Sequence, residues 1–315
     1  MYPVAPTMTP RTSTTVAASL ALLASCTAPR ATVEGPVEGT SLLGAPLERY
    51  EPADPEARER HATALAEARE RWEAEGTEEA AIWVGRQMAY LGRVGEAIDW
   101  YTARLEDFPD SHRLRRHRGH RWISTRRYGN AVADLSEAWE LGSRRPDAVE
   151  PDGIPNAAGI PTGTDYTSIL YHLALAHYLR GDFDRAAFDW RGCLAHSGND
   201  DMRVAAANWL VHALRRSGRG LEAGAVLETI DPELELLENH DYHSLLLLQK
   251  GLVTPDELLA DADGGIGSAT LGYGIGNWEW CEGRREAARE RWRDVVADTP
   301  WPAFGHAAAE AELAR

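Results

Sequence analysis

The chain has 315 residues, of which 43% are hydrophobic and 26% charged, a composition typical of a folded, soluble body. This length favours two domains or one repeat array over a single compact core. The formal net charge of -16 argues against nucleic acid as a partner, because neutralising phosphates requires a basic face. The three cysteines, Cys26, Cys193 and Cys281, are too few for a dense disulfide framework and too far apart in sequence for a zinc ligand set.

The N-terminal residues 1–25 are predicted to be a signal peptide. One charge, Arg11, precedes an apolar run over residues 16–24. That run is shorter than the roughly 20 apolar residues that span a bilayer, and it has the length of a secretory signal core. Met8 is an alternative start to Met1, since the first seven residues add nothing that such a signal needs.

The apolar run ends in Leu-Ala-Ser-Cys at residues 23–26. This ending resembles a bacterial lipobox, in which small residues precede a cysteine that is lipidated and becomes the mature N-terminus. The resemblance implies that acylated Cys26 anchors the exported protein to a bilayer, and more than one acyl chain holds stably. Because Thr27 rather than Asp follows, the resemblance favours the outer membrane, with the chain facing the periplasm. An ordinary signal peptide with a chance cysteine is the alternative.

Residues 26–50 are predicted to be a flexible tether, because prolines and glycines interrupt them and no periodic apolar pattern is present. Residues 51–77 follow with a charged, amphipathic helical pattern. We expect this segment to form an N-terminal cap helix, and we expect no strand anywhere in the chain.

A repeat of 34 residues begins at Glu78 and covers most of the chain to residue 302. Three pairs of residues coincide between the first two units: Gly85 with Gly119, Ala97 with Ala131, and Leu105 with Trp139. The pattern recurs in units that begin near Thr167, Val204 and Ala269. It resembles the tetratricopeptide repeat, two antiparallel helices per unit with small residues at fixed positions. The resemblance implies an all-α fold, a right-handed α-solenoid of helical hairpins with capping helices and one long inserted loop.

The predicted organisation follows from the phase of the repeat. Residues 78–145 hold units 1 and 2, and residues 167–302 hold units 3 to 6, of which the unit at 238–265 is degenerate. Glycines inside first helices cost about 1 kcal/mol against alanine, which indicates close helix approach. Arg126 stands where the other units have an inter-helix glycine. Residues 303–315 are predicted to be a C-terminal cap helix with a polar outer face.

Between units 2 and 3 the repeat phase breaks for residues 146–166, which are rich in proline and glycine. A loop this long within a compact array is usually functional or disordered. Ile154 and Ile160 give it apolar groups to bury. The hypothesis is that it folds onto the concave face and forms part of a ligand site; a solvated excursion is the alternative.

In solenoids of this kind the first helices line the concave face, and here they carry a cationic and aromatic set. The predicted partner-binding residues are Arg86, Tyr90, Arg113, Arg116, His120, Tyr171, Tyr178, Asn208, His212, Arg215, Arg216, Tyr273, Asn277 and Trp280. Arginine forks suit carboxylates, so a protein or peptide with acidic groups is the predicted partner. The known carboxylate clamp of chaperone-binding repeats is not reproduced, because Ile82 and Ala205 occupy its positions. Arginines merely paired with neighbouring glutamates are the alternative.

Catalytic and metal motifs are weak. Gly272–Gly276 lacks the preceding strand and the spacing of a dinucleotide loop, and close helix packing is the expected role. No carboxylate or cysteine lies at a spacing that would complete a metal-ligand set with the histidine pairs. We therefore predict that the protein binds no metal or cofactor and is not an enzyme.

The predicted function is therefore a lipid-anchored tetratricopeptide-repeat interaction scaffold at the bacterial cell envelope, binding a partner protein or peptide in its groove. The alternative is a small-ligand-binding protein or enzyme, with a site formed by the 146–166 loop over the groove beside His120, Tyr171 and His212. A structural spacer is the third candidate, favoured if the chain itself plugs the groove.

Overall fold

A computed structural model describes residues 35–260 and 265–315 of the chain. The predicted signal peptide and Cys26 lie outside the described residues. Helices dominate the described part, in the following order: α1 Pro55–Glu75, α2 Glu78–Tyr90, α3 Val94–Asp107, α4 His112–Ser124, α5 Tyr128–Gly142, α6 Asp165–Leu179, α7 Phe183–His196, α8 Asp200–Arg216, α9 Gly220–Glu228, α10 His240–Gln249, α11 Pro255–Leu259, α12 Ile266–Cys281, α13 Arg285–Asp298 and α14 Phe304–Ala314.

The helices form a chain of hairpins, which confirms the predicted all-α array. Each helix from α1 to α8 contacts the next one along the chain, and so do α11 with α12, α12 with α13 and α13 with α14. The first helices of the units also contact one another in the order α2, α4, α6, α8, α10, α12. We call this set the first-helix row. Short polar caps begin several of these helices; the Thr77 hydroxyl, for example, accepts from the backbone N–H of Ala80 at 3.3 Å.

The glycines inside first helices lie where a helix approaches its hairpin partner closely, as predicted. A Cβ at Gly85 would lie 2.2 Å from Cζ of Tyr101. A Cβ at Gly119 would lie 2.6 Å from Cγ of Leu135. Any larger residue at these positions would force the buried partner to move, so the repeat's small residues set the distance between its helices.

Arg126 adopts a left-handed backbone conformation, with a φ of 64°, at the inter-helix position where the other hairpins use glycine. The contacts of its side chain account for this exception. The guanidinium is buried, and its Nε and Nη2 donate to the Glu310 carboxylate of α14, Nη2 at 2.9 Å. Nη1 donates to the carbonyl of Ser124 at 2.7 Å, and Nη2 to that of Trp301 at 3.0 Å. Arg126 thus ties the second unit to the end of the chain.

The C-terminal helix α14 is buried, so the predicted solvated cap with a polar outer face is wrong. Eight consecutive residues, Gly305–Glu312, are buried against α12, α13 and α6. Its alanines permit a close approach, and a Cβ at Gly305 would lie 2.1 Å from the carbonyl oxygen of Ala269. Its two carboxylates are paired, since Glu312 bonds Arg216 with 2.7 Å between Nη1 and Oε1. Because both carboxylates are paired with arginines, the helix is buried without a polar outer face.

Part of the predicted tether is a β-hairpin, so the prediction of a flexible segment without strands is wrong over residues 36–48. Strands β1 (Val37–Thr40) and β2 (Pro46–Glu48) pair antiparallel, and Leu47 is buried. Trp301 donates its indole N–H to the carbonyl of Glu48 at 2.7 Å. These tertiary contacts fix a segment whose local composition alone favours flexibility.

No helix in the part of the chain that the structure describes is long and apolar enough to cross a membrane. Both cysteines in that part are free thiols. Cys193 is buried and Cys281 half-buried, which agrees with the interpretation of both as small apolar side chains.

Candidate ligand cavity

The insertion at residues 146–166 leaves the array and returns to it through a narrow stem. An isolated bridge joins Val149 to Thr164, and the N–H of Glu150 donates to the carbonyl of Gly163 at 3.1 Å. Beyond the stem the backbone reaches α2, where Arg86 Nη1 donates to the carbonyl of Pro151 at 2.7 Å. The hypothesis that the insertion folds onto the first-helix row is confirmed by these contacts. Its part in a ligand site stays a prediction.

Glu150 carries a buried carboxylate from the insertion into a group of cations. Its Oε1 lies 3.1 Å from Nη2 of Arg116, 3.8 Å from Nη1 of Arg86 and 3.6 Å from Nε2 of His117. Burial and the neighbouring arginines, Arg116 first, hold the pKa of His117 well below its ordinary value, so that ring is neutral at pH 7. Two guanidinium charges therefore face one carboxylate, and this end of the site keeps a positive excess.

The far side of the insertion is tied to the segment that precedes α10. Thr162 donates its hydroxyl to Glu238 at 2.5 Å, and Asn156 donates to the same carboxylate at 3.3 Å. Asn199 donates to the carbonyl of Thr162 at 2.7 Å. Ile154 and Ile160 lie on its outer surface, 69% and 53% exposed, so the expectation that they would be buried is wrong. The insertion is held by polar contacts rather than by an apolar core of its own.

A cavity of about 280 Å³ remains between the insertion and the first-helix row. Its size is at the lower end of the range for small-molecule sites. It is lined by Arg86, Arg116, Glu150, Pro151, Asp152, Thr162, Gly163, Ser168, Tyr171, His172, Met202, Ala205, Glu238, Asn239, Tyr242 and Phe304. Polar groups thus come from both the insertion and the row, while Tyr171, Met202, Tyr242 and Phe304 give it an apolar wall.

His172 presents a hydrogen-bond acceptor to this cavity. His172 is buried, with 6% of its surface exposed. Its Nδ1 lies 2.6 Å from the carbonyl oxygen of Ser168. A carbonyl can only accept, so Nδ1 carries the proton. Burial, and then the charge of Arg116, lower the pKa of His172 well below its ordinary value, which leaves Nε2 unprotonated. Among the described residues Nε2 has no hydrogen-bond partner.

Two carboxylates without an ion pair among the described residues line the cavity, Asp152 from the insertion and Glu238 at the α10 end. One oxygen of Asp152, Oδ2, is buried and lacks a hydrogen-bond partner in this part of the chain. Burial, and then the charge of Glu238, raise the pKa of Asp152 above its ordinary value. Glu238 accepts only from the neutral groups Thr162 and Asn156. This end therefore carries a negative excess, opposite in sign to the arginine end.

The predicted partner-binding residues fall into two groups. Arg86, Arg116 and Tyr171 line the cavity, and Tyr90 and His120 lie beside it. The Tyr90 hydroxyl accepts from Nε of Arg86 at 3.3 Å. The His120 ring lies 4.5 Å from that of His172 between centroids. These five residues are brought together at one site.

The remaining predicted residues do not form an open surface. Tyr178, Asn208, His212, Tyr273 and Asn277 are fully buried. The Tyr178 and Tyr273 hydroxyls are 2.5 Å apart, and Asn277 Nδ2 lies 2.8 Å from His212 Nδ1. The expected continuous groove is absent from the described residues, because α14 packs on this half of the row.

The other charged residues of the predicted set form ion pairs with glutamates, as the alternative interpretation predicted, and Trp280 packs against an arginine. Arg113 lies 2.6 Å from Glu79, and Arg215 lies 2.5 Å from Glu282. Arg216 bonds Glu312 and lies 5.3 Å from the ring of Trp280. These side chains stabilise the array where they lie and are not free to hold a partner.

Sequence reasoning missed Glu150, Asp152, His172, Glu238 and Phe304. Glu150 and Asp152 lie within the insertion already singled out, and His172 directly follows Tyr171 on α6, so local signals for these three were present. Nothing local indicated Glu238 or Phe304, which reach the cavity only through the packing of distant segments. No group of three or more metal-ligating side chains lies together among residues 35–260 and 265–315.

The architecture defines a helical-repeat protein with a covered first-helix row. No family model matches the chain, and no curated protein matches it. Among solved structures it is similar to a tetratricopeptide repeat protein from Parabacteroides merdae, with 11% sequence identity and a TM-score of 0.49. That similarity covers 81% of this chain and 93% of the other.

Proposed function

We propose that this chain is an exported, lipid-anchored binding protein of the bacterial cell envelope whose binding site is the cavity beneath the insertion. The observation that carries the proposal is the mixed lining of that cavity. Two buried polar atoms without a partner among the described residues, Asp152 Oδ2 and Arg116 Nε, belong to residues that line the cavity beside its apolar wall. Unsatisfied buried polar groups cost free energy, and a ligand that supplies their missing partners recovers it.

A compact ligand suits the site better than an extended segment along the whole row. The C-terminal helix packs against α6 and α12, and its Arg315 guanidinium donates to the carbonyl of Leu179 at 2.8 Å. An extended guest would have to displace this helix, whereas a compact one needs only the existing space. The preformed cavity also lowers the ordering cost of binding.

The anchoring part of the proposal is supported by the order of charge, apolar run and small residues before Cys26. A protein anchored there would hold its ligand close to the membrane surface. Export and anchoring are both inferred from the sequence, and with them a position of the body on the periplasmic side of the outer membrane.

A partner protein is the second candidate for the bound species. Ile154 and Ile160 are exposed apolar groups on the insertion, directly outside the cavity, and a docking protein would cover them. A photoreactive residue at position 160 separates the two candidates. Reproducible crosslinking to one protein in native membranes supports the partner, and no crosslink supports the compact ligand.

The test of the proposal fills the cavity from the insertion. A Cβ at Gly163 would lie 3.4 Å from Oγ of Ser168, 3.9 Å from Cε of Met202 and 4.0 Å from Oγ1 of Thr167, so the backbone position accepts a side chain and Gly163→Phe adds a ring at the cavity lining. Native mass spectrometry of protein purified from its membranes should show a small molecule on the wild type and none on Gly163→Phe. Ala157→Phe adds the same group on the exposed part of the insertion and should keep the molecule.

If all three proteins carried the same amount of bound small molecule, the cavity would not be the binding site. Membrane fractionation of the variant Cys26→Ser tests the lipid anchor. We expect this variant to leave the membrane fraction, and its retention there would contradict the lipid anchor.

A further inference from the structure

The two ends of the cavity differ in charge, and this difference specifies a ligand more closely than its size. The first-helix row runs from α2 and α4, which supply Arg86 and Arg116, to α8 and α10, between which Glu238 lies. Along the row, the unpaired charge of the cavity lining changes from positive at the two arginines to negative at Glu238. A ligand with a single charge would satisfy one end and leave the other without a partner.

At the arginine end, Arg116 is under-satisfied. Its Nη1 and Nη2 face His117 and Glu150, while its Nε is buried with no hydrogen-bond partner among the described residues. One carboxylate, Glu150, serves both Arg116 and Arg86. A second carboxylate, brought by a ligand, would complete the pairing, since a guanidinium binds carboxylates through paired N–H groups.

The other unsatisfied groups of the cavity are acceptors, and Glu238 places one of them at the end away from the arginines. Asp152 Oδ2 is buried without a donor, Glu238 has only neutral donors, and His172 Nε2 accepts no hydrogen bond among the described residues. An ammonium group carries three donors and one positive charge, so it can serve two carboxylates and the imidazole nitrogen. The rings of Tyr171 and Tyr242 also line the cavity, and aromatic faces attract cations.

Between the two ends lies the apolar wall formed with Met202 and Phe304. The volume of about 280 Å³ is at the lower end of the range for small-molecule sites. That room suits one small molecule with a short apolar body.

We propose that the ligand is a zwitterion of the amino-acid type, a free α-amino acid or dipeptide with an apolar side chain. Its carboxylate pairs with Arg116 and Arg86, its ammonium with Asp152 and Glu238, and its side chain lies against Met202. This inference rests on the cavity being the binding site, and it adds the ligand class.

The test is calorimetric titration of the folded chain with leucine, alanyl-leucine, N-acetyl-leucine and leucinamide. The last two each remove one charge from leucine and keep its side chain. We expect leucine or the dipeptide to bind, and N-acetylation and amidation each to weaken binding by at least tenfold. Equal affinity for N-acetyl-leucine, or no measurable binding of either zwitterion, would overturn the proposal.

Paired variants assign each charge of the ligand to its end of the cavity. Arg116→Gln should weaken leucine at least tenfold and leave leucinamide unchanged, because leucinamide has no carboxylate to lose. The double substitution Asp152→Asn, Glu238→Gln should weaken leucine similarly and leave N-acetyl-leucine unchanged. If both variants weaken the binding of all ligands equally, the carboxylate and the ammonium group are not bound by separate residues, and the assignment is overturned.

Failure of this inference is distinguishable from failure of the proposed function. A small molecule that Gly163→Phe loses, together with no response to the zwitterions, keeps the cavity as the site and removes the amino-acid class. Leucine binding that Gly163→Phe does not weaken removes the cavity itself. Circular dichroism of every variant checks that the helical fold is retained.

Discussion

The two halves of the first-helix row are covered by different kinds of segment, and the cover decides what each half can do. Over α2 to α6 the cover is the insertion, a loop whose backbone groups need polar partners, and a polar cavity remains beneath it. Over α6 to α12 the cover is α14, which satisfies most of its backbone internally and packs through alanines. Repeats of one design thus give a binding surface under a loop and a closed core under a helix.

The largest expected effect concerns the closed half. Glu310→Ala leaves the buried guanidinium of Arg126 without its carboxylate, and we expect unfolding free energy to fall by about 3–5 kcal/mol. Urea denaturation followed by circular dichroism measures it. Glu290→Ala, at an exposed position of α13, is the matched control and should change stability by less than about 0.5 kcal/mol. A loss for Glu310→Ala as small as the control's would mean that α14 does not depend on this pair.

A smaller effect tests whether the open half is as tightly built within its hairpins as the closed half. Gly85→Ala places a methyl group 2.2 Å from Tyr101 Cζ, and overpacking should cost about 1–3 kcal/mol. Gly129→Ala, also within a helix but facing open space, should instead stabilise by about 0.5–1 kcal/mol. Thermal unfolding of both variants gives the sign directly. Stabilisation by Gly85→Ala as well would show that the helices of unit 1 are not in close contact.

The smallest expected effect is the share of one histidine in the pH dependence of the open half. Burial, followed by the charge of a nearby arginine, lowers the pKa of His117, His120 and His172 well below 6.5. Below about pH 6.5 the unfolded chain therefore binds more protons than the folded one, so stability falls as the pH falls. Each histidine contributes up to about 1.4 kcal/mol per pH unit.

The matching experiment compares denaturation from pH 7 to pH 5 for the wild type and His172→Phe. The variant should lose stability less steeply, by the share of one histidine. Asp189 acts in the opposite direction, because burial raises its pKa to about 6 and the folded state takes up its proton first. It is present in both proteins and cancels in the comparison. Parallel curves would show that His172 is not held neutral.

Much of the helical array could be predicted because its signals are local. Gly85 and Gly119 mark close contacts within one hairpin, and a 34-residue period makes such marks recur. The site was predictable only in part. Arg86, Arg116 and Tyr171 lie on the predicted face of the first helices. Glu238 and Phe304 are more than 60 residues away from each of them in sequence, and they reach the cavity only through tertiary packing.

By itself the sequence determined the helices, their pairing and the residues that face along the row, since hydrogen bonding and apolar periodicity act over a few residues. The tertiary structure decided what covers that row. Arg126 illustrates the division: its sequence position predicts a turn that favours glycine, while its conformation and its pairing with Glu310 depend on a helix 184 residues away. Such contacts leave no periodic mark, because a single ion pair or an alanine-rich helix is compatible with many neighbours until the chain has folded.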